Sequence, residues 1–244
     1  MKIALFGNSV SDLTQKLSLA HLTIVDEHPD VVICLGGDGT FLAAERQFPG
    51  VPKFCMRDGR PCKACAVTPL DETIHKLASH EYGIKEFWKV EAEISSGQTL
   101  VAVNEVQLHN DDPRHAIRFQ TVILERSDRI LGDPIGRPTD SLQDDNKTST
   151  IADGAIFSSV FGSTGYFKSV TGKSISHGFG FALINPAVEK KPDILRSGDV
   201  VSIRLERGPA TVYADNDPMS IPLPAGSTMT FRPSAQKIRV IVFS

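Results

Sequence analysis

The sequence predicts an α/β domain joined to an all-β one: a small doubly wound domain over residues 1–88 and an antiparallel β domain over residues 89–244, with the final strand a candidate to return to the first domain. Three observations lead there. Strand-like and helix-like segments alternate over roughly the first ninety residues, as in doubly wound folds. Val31-Val32-Ile33-Cys34-Leu35 is apolar at every position, the mark of a parallel strand covered on both faces. From about Phe87 onward the pattern becomes alternating runs separated by Gly, Pro, Asn and Asp clusters, as expected of antiparallel strands.

Lys2 to Gly7 is a short apolar strand that stops at Gly-Asn, and Ser11 to Leu19 follows with a capping serine and apolar residues near helical spacing. Leu22 to Val25 is a second β-branched run, and Pro29-Asp30 precedes the buried strand 31–35. Thr40 to Phe48 is read as a helix ended by Pro49-Gly50, Val51 to Met56 as a strand, and Leu70 to Ser79 as a helix with acidic residues in its first turn. In the second domain the strands are expected at Trp88–Ile94, Thr99–Leu108, Ile117–Glu125, Gly154–Ser159, Val200–Leu205, Ala210–Tyr213, Thr228–Arg232 and Ile238–Phe243. Ser127 to Thr150 has little periodicity and is read as a long loop.

With 244 residues and a net charge of −3, the chain can bury a substantial core and shows no basic footprint for nucleic acid. No run approaches the roughly 20 apolar residues of a membrane span, and the N-terminus turns polar too soon for a signal peptide. A cytoplasmic protein with neither membrane nor nucleic acid as partner is expected. Cys55, Cys62 and Cys65 could supply three zinc ligands, with His75 or His80 as a fourth. A single Cys-x-x-Cys is a weak sign, so reduced thiols without a metal are the reading adopted.

The sharpest local feature is the buried strand that feeds Gly36-Gly37-Asp38-Gly39-Thr40 and then a helix. The glycines let backbone approach a ligand closely, and their amides with the helix N-terminus suit anionic oxygens. A carboxylate in such a cradle repels phosphate unless it binds a cation or accepts a proton from an attacking hydroxyl. Otherwise the turn is only a tight strand-to-helix connection. It is neither a Walker loop nor a Rossmann fingerprint.

Residues Gly36 to Ala44 closely resemble the motif shared by NAD kinases, diacylglycerol kinases, sphingosine kinases and 6-phosphofructokinase-like enzymes. The resemblance implies that Asp38 is the base that deprotonates the acceptor hydroxyl and that Gly36, Gly37, Gly39 and Thr40 face the donor phosphates. Val103 to His109 is similar to the NAD kinase Asn-Glu motif, which implies that Asn104 and Glu105 hold ribose hydroxyls. Asp153 to Tyr166 resembles the family block that contacts the two halves of NAD, implying acceptor contacts from Asp153, Ser163, Thr164 and Tyr166. Tyr213-Ala214-Asp215-Asn216-Asp217 is similar to the family's late Asp-Gly turn. It implies that Asp215 approaches the active site, with Asn216 in the left-handed position that glycine otherwise takes.

The blocks run in family order over essentially the whole chain. The expected reaction is transfer of the ATP γ-phosphoryl group to the 2′-hydroxyl of the adenosine ribose of NAD, with Mg²⁺ entering with ATP. A homodimer or homotetramer is expected, because family members complete the acceptor pocket with a neighbouring subunit. Departures bear on substrate: a family stretch of small apolar residues is here Cys55 to Ala64, with Arg57 and Arg60 suited to bidentate phosphate recognition or to a solvated loop. Val160-Phe161 replaces Pro-Thr. Another hydroxylated acceptor (sugar, inositol or nucleoside), a polyphosphate donor, and a catalytically silent dinucleotide-binding protein stay open as alternatives.

Overall fold

The computed structural model describes residues 1–7, 11–56, 65–66, 69–124 and 148–243. They form two compact units, Met1–Phe87 with Gln236–Ser244, and Trp88–Ala235.

The first unit runs β1 (Lys2–Gly7), α1 (Ser11–Leu19), β2 (Thr23–Ile24), β3 (Val31–Leu35), α2 (Asp38–Gln47), β4 (Lys53–Met56), β5 (Cys65–Ala66) and α3 (Leu70–Ala78). The strands pair in parallel: β2 on one side of β1, β3 on the other, then β4 beside β3 and β5 beside β4. Burial explains the composition. Ile3, Leu17, Ile33, Phe54 and Leu77 are fully enclosed between sheet and helices, each contributing roughly 1.5–3 kcal/mol by leaving water. Truncating Leu77 to alanine would cost roughly 2–5 kcal/mol.

A feature without a signal in the sequence holds the turn after α2. Lys53 is fully buried beside the equally buried Glu45. Its ammonium also donates to the carbonyls of Phe48 at 2.7 Å and Val51 at 2.9 Å. Glu45 in turn accepts from the Gly50 amide at 2.9 Å. A buried charge is tolerable only when paired and hydrogen-bonded in this way.

The second unit continues through β6 (Gly83–Ile94, entering it at Trp88), β7 (Thr99–Ala102), β8 (Glu105–Asn110), β9 (Ile117–Leu124), β10 (Thr148–Ala152), β11 (Gly154–Ser158), a 3₁₀ turn at Gly162–Thr164, α4 (Tyr166–Thr171), β12 (Phe179–Ile184), β13 (Asp193–Leu195), β14 (Val200–Arg207), β15 (Ala210–Ala214), β16 (Ser220–Leu223) and β17 (Thr228–Val242). One antiparallel sheet has the order β13-β12-β11-β8-β15-β16. Facing it, β10, β9, β14 and the first part of β17 pair in turn, with β6 alongside β17 and β7 alongside β6. The shared core is aromatic: Phe157 stacks with Phe179 at 5.9 Å and Phe231 at 5.7 Å between ring centres. On the far side of the six-stranded sheet, Phe167 of α4 covers Ile156, Ala182 and Ile184. The last part of β17 belongs to the first unit, where Val240 pairs in parallel with Lys53 of β4.

The architecture is an α/β domain plus an antiparallel β domain, with local corrections to the sequence reading. The run Thr99–Leu108 is two strands, broken at Val103-Asn104. The two expected C-terminal strands are one, because Pro233 lies past the last residues that β17 pairs with β14 and owes that ladder no donor. Thr148 to Thr150 opens β10 and is not loop. The strands β12, β13 and β16 were not anticipated, although all six residues of β12 are buried. Helix α2 starts at Asp38, two residues earlier than expected.

Candidate functional site

The candidate residues form two groups, one in each unit. In the first, α1 carries the chain from β1 to β2 on one side, while β3 returns to the other side of β1. The strand order therefore switches between β1 and β3, and ligands of open α/β sheets bind outside the carboxyl ends of the strands at such a point. Gly7 and Leu35 end these strands opposite each other, and Gly36-Gly37 leads directly into Asp38, the first residue of α2. A Cβ on Gly36 would lie 2.2 Å from the Thr40 hydroxyl oxygen, so only glycine lets the helix start this close to the strand. Asp38 and Gly39 are exposed and Thr40 is half-buried. Gly37 caps the helix without a side-chain bond; its carbonyl accepts the Thr40 amide at 3.0 Å, which leaves the Gly39 amide of the first turn to a ligand or water.

Behind this turn, Cys34 and Cys55 are paired in register on β3 and β4, both buried. The bond to Cys34, then burial, with the Asp38 charge adding, pushes the Cys55 thiol well above the usual range, which keeps it from acting as a thiolate. The backbone of Cys65 lies beside Cys55 on β5. Cys62, Arg57, Arg60 and most of the 127–150 segment lie outside the described residues. Among the described residues no three His, Cys, Asp or Glu side chains are grouped to hold a metal.

The second group is built around the break between β7 and β8. The Asp215 carboxylate accepts the amides of Val103 at 2.7 Å, Asn104 at 2.8 Å and Glu105 at 3.2 Å, while the Asp215 amide donates to the Glu105 carbonyl at 3.0 Å. From the other side, Ser159 Oγ donates to the Val103 carbonyl at 2.6 Å and Ser158 Oγ to that of Asn104 at 3.2 Å. A Cβ on Gly162 would sit 2.2 Å from Asn104 Cα. Asn104 and Glu105 are thus held by three separate segments. The left-handed residue of the late turn is Asp215 itself, at φ 47°, and not Asn216. Aspartate tolerates that conformation better than most residues, and it aims the carboxylate at the three amides.

Glu105 is 7% exposed. Its Oε1 accepts from Gln107 Nε2 at 3.3 Å, and its Oε2 is buried without a hydrogen-bond partner. Burial, with the Asp215 charge beside it, raises its carboxyl from 4.5 to about 7. An unpartnered buried acceptor is costly, and such groups concentrate at functional sites.

Along the same face of β8, Gln107 and His109 alternate with Glu105, opposite Tyr213 and Thr211 of β15. Tyr166, at the start of α4, stacks against His109 with its hydroxyl 3.4 Å from Nε2, and Tyr213 meets His109 edge-on. Burial holds the His109 imidazole below its ordinary pKa, and burial with the Glu105 and Asp153 charges raises that of Tyr166. Asp153 accepts from Asn185 Nδ2 at 2.8 Å. Ser163 is turned inward: its hydroxyl donates to the Val160 carbonyl and meets Ile175, so its side chain serves the turn. Thr164 is exposed. The Glu105 carboxylate with the neighbouring amide and aromatic side chains can accept hydrogen bonds from a diol and stack a planar ring, while the Asp215 carboxylate is taken up by backbone amides. Ser158, Ser159, His109 and Tyr213 are contributors that sequence reasoning missed; for His109 and Tyr213 the side on which they fall in the strand alternation could have pointed to them.

A doubly wound unit with a Gly-Gly-Asp-Gly-Thr turn at its switch point, followed by a two-sheet β unit, defines the fold class. No protein-family model matches the sequence. The chain is similar to the NAD kinase of Methanosphaera stadtmanae, 26% identical over 216 residues, covering 82% of this chain and 71% of that protein. Its fold matches the crystal structure of an NAD kinase from Archaeoglobus fulgidus in complex with ATP, with TM-score 0.74 and 19% identity over 98% of this chain and 93% of that one. It also matches yeast NADH kinase complexed with NADH, with TM-score 0.76 and 17% identity over 100% of this chain and 84% of that one. In sequence the chain is similar to NAD kinases, and it shares the fold of these solved structures.

Proposed function

We propose that the chain is an NAD kinase, transferring the γ-phosphoryl group of ATP to the 2′-hydroxyl of the adenosine ribose of NAD to give NADP. The observation that carries this reading is the Gly36–Thr40 turn at the strand-order switch, an anion cradle that includes a carboxylate. Asp38 accepts the proton of the attacking hydroxyl, and the Gly36–Thr40 turn faces the donor phosphates through the Gly37 and Gly39 amides and the Thr40 hydroxyl. The Gly36 and Thr40 amides are used within the fold, donating to the carbonyls of Met56 at 3.1 Å and Gly37 at 3.0 Å. Mg²⁺ enters with ATP as part of the substrate and neutralises charge on the transferring group.

On the acceptor side, Asn104 and Glu105 take the ribose hydroxyls, and Tyr166 with Thr164 and Asp153 orients the rest of the dinucleotide. The unpartnered Glu105 Oε2 supports this assignment, since a substrate hydroxyl would supply the hydrogen bond it lacks. Asp215 acts as a positioning residue, its carboxylate used on backbone amides. The protein works as a homodimer or homotetramer. Free buried cysteines suit the reducing cytoplasm, and no helix among the described residues is long and apolar enough to cross a membrane.

The test is production of NADP from ATP and NAD by the purified protein, read with an NADP-specific dehydrogenase. NADH, nucleosides, polyols and polyphosphate serve as alternative substrates. Turnover of another acceptor in preference to NAD would overturn the substrate assignment, and absence of phosphoryl transfer to every acceptor would overturn the activity.

A further inference from the structure

The second unit carries a cleft that the phosphotransfer reading does not use. It lies between the turn joining β8 to β9 and the turn joining β14 to β15, with a volume of about 430 Å³, within the usual range for small-molecule sites. Asp112, Arg114 and His115 line it from one turn, and Arg207, Gly208 and Pro209 from the other. Five bonds converge on the Asp112 carboxylate: Arg114 gives its backbone amide at 3.0 Å, Nε at 2.9 and 3.2 Å and Nη2 at 2.8 Å, and His115 Nδ1 lies at 3.0 Å. The one negative charge in the cleft is thereby taken up, and Arg114 and His115 are fixed in place.

The opposite wall is positive without compensation. Arg207 donates Nη2 to the Ala116 carbonyl at 3.2 Å, a contact that orients the guanidinium without neutralising it. Directly across the ladder stands Arg118, at a register shift in β14. Among the described residues no acidic group forms an ion pair with either arginine. Like charges directly opposite in a sheet are destabilising, and a bound anion would offset that cost. Asn110 Nδ2, bonded to the carbonyls of Asp112 and His115 at 3.0 Å, holds the shape of the turn. The cleft therefore presents the uncompensated Arg207 guanidinium on one turn and, on the other, the His115 imidazole with Arg114, whose Nη1 is left over after Nε and Nη2 bond Asp112, a donor set suited to phosphoryl oxygens.

We infer that this cleft binds a short oligophosphate chain, free or carried by a nucleotide, through Arg114, Arg207 and His115. A single phosphate would fill a small part of the volume. A chain of two or three phosphoryl groups offers oxygens to both turns.

The probe is inorganic tripolyphosphate, added without divalent metal to the full chain, with the His115 ring resonances observed by NMR. That reporter is local, so occupancy of the proposed donor site does not mimic the signal. A saturable His115 shift is expected, weakened at least tenfold in Arg207→Gln and in Arg114→Gln, because charge-assisted bonds of roughly 1.5–3 kcal/mol are lost. Arg207→Lys keeps the charge and should fall between. Apparent affinity should drop steeply with added salt. NAD phosphorylation in the variants should match the wild type, since none of these residues belongs to the proposed site, and matching melting curves exclude misfolding.

If ADP shifts His115 as tightly as tripolyphosphate, the chain is nucleotide-borne; if tripolyphosphate alone does so, it is free. No saturable shift at millimolar tripolyphosphate, a shift unaltered in both glutamine variants, or an equal response to sulfate at equal ionic strength would overturn the proposal. None of these outcomes bears on the phosphotransfer activity.

Discussion

Replacing Glu105 with glutamine should make the protein more stable at alkaline pH while impairing acceptor binding. The carboxyl is 7% exposed, its Oε2 has no partner, and burial raises it from 4.5 to about 7. Between those values the folded state holds a proton that the unfolded state has lost, so stability falls as pH rises through the window. Below 4.5 both states are protonated and above 7 both are ionised, so the effect is absent on the acid side and complete on the alkaline side. At 1.36 kcal/mol for each pH unit of displacement, the full swing is about 3 kcal/mol.

Urea unfolding of wild type and Glu105→Gln at intervals from pH 4 to pH 8 isolates the effect, because every other titrating group is common to both. The stability difference should move in favour of the glutamine variant by about 3 kcal/mol between pH 4.5 and pH 8. The same protonation has a kinetic face: wild-type KM for NAD should rise roughly tenfold for each pH unit below 7 as the ionised fraction falls, while that of the variant stays level. A stability difference flat with pH would refute the placement of an ionisable carboxyl in this buried setting. A flat wild-type KM would refute its role as acceptor ligand.

Asp38→Asn should lower kcat by roughly 10²–10⁴-fold with NAD affinity retained, measured by steady-state kinetics and equilibrium dialysis, because an amide cannot take the hydroxyl proton. Glu45→Gln leaves the Lys53 ammonium buried without its counter-charge; a loss of roughly 3–5 kcal/mol, or roughly 10 °C in melting temperature, should appear in calorimetry. Gly162→Ala puts a methyl 2.2 Å from Asn104 Cα, and the displacement, roughly 1–3 kcal/mol, should raise KM for NAD about tenfold with ATP affinity unchanged. Light scattering should give a dimer or tetramer, and a fully active monomer would exclude a pocket completed by a second subunit.

The parallel half was legible because its signals are local. Val31 to Leu35 is apolar throughout, and Pro49-Gly50 ends α2 close to where the chain turns. The β half was less so, because its decisive contacts are remote. Nothing in Ala102-Val103-Asn104-Glu105 marks an interruption; the break is made by the Asp215 carboxylate, 110 to 112 residues further on. Conversely, Pro233 reads as a strand end, yet β17 continues through it. The motif residues near Asp38 and Asn104-Glu105 were visible as a pattern, whereas Ser158 and Ser159, which hold the latter by its carbonyls, carry no distinguishing neighbours. Ser163 enters as an acceptor contact through the family resemblance alone; that its hydroxyl engages the Val160 and Ile175 backbone is a contact the sequence does not display.

The three amides gathered by Asp215 tie the start of β8 to the end of β15 so tightly that neither can open alone. In hydrogen exchange, Val103, Asn104 and Glu105 should therefore share one opening free energy with the Asp215 amide, which is bonded back to Glu105. A dinucleotide held at Asn104-Glu105 would slow exchange across this whole group, and outward along the β15–β16 hairpin, at amides that no substrate atom reaches. The hairpin is thus a remote gauge of occupancy, and substitutions at its tip, exposed at Pro218 and Met219, would tune acceptor affinity without touching the acceptor.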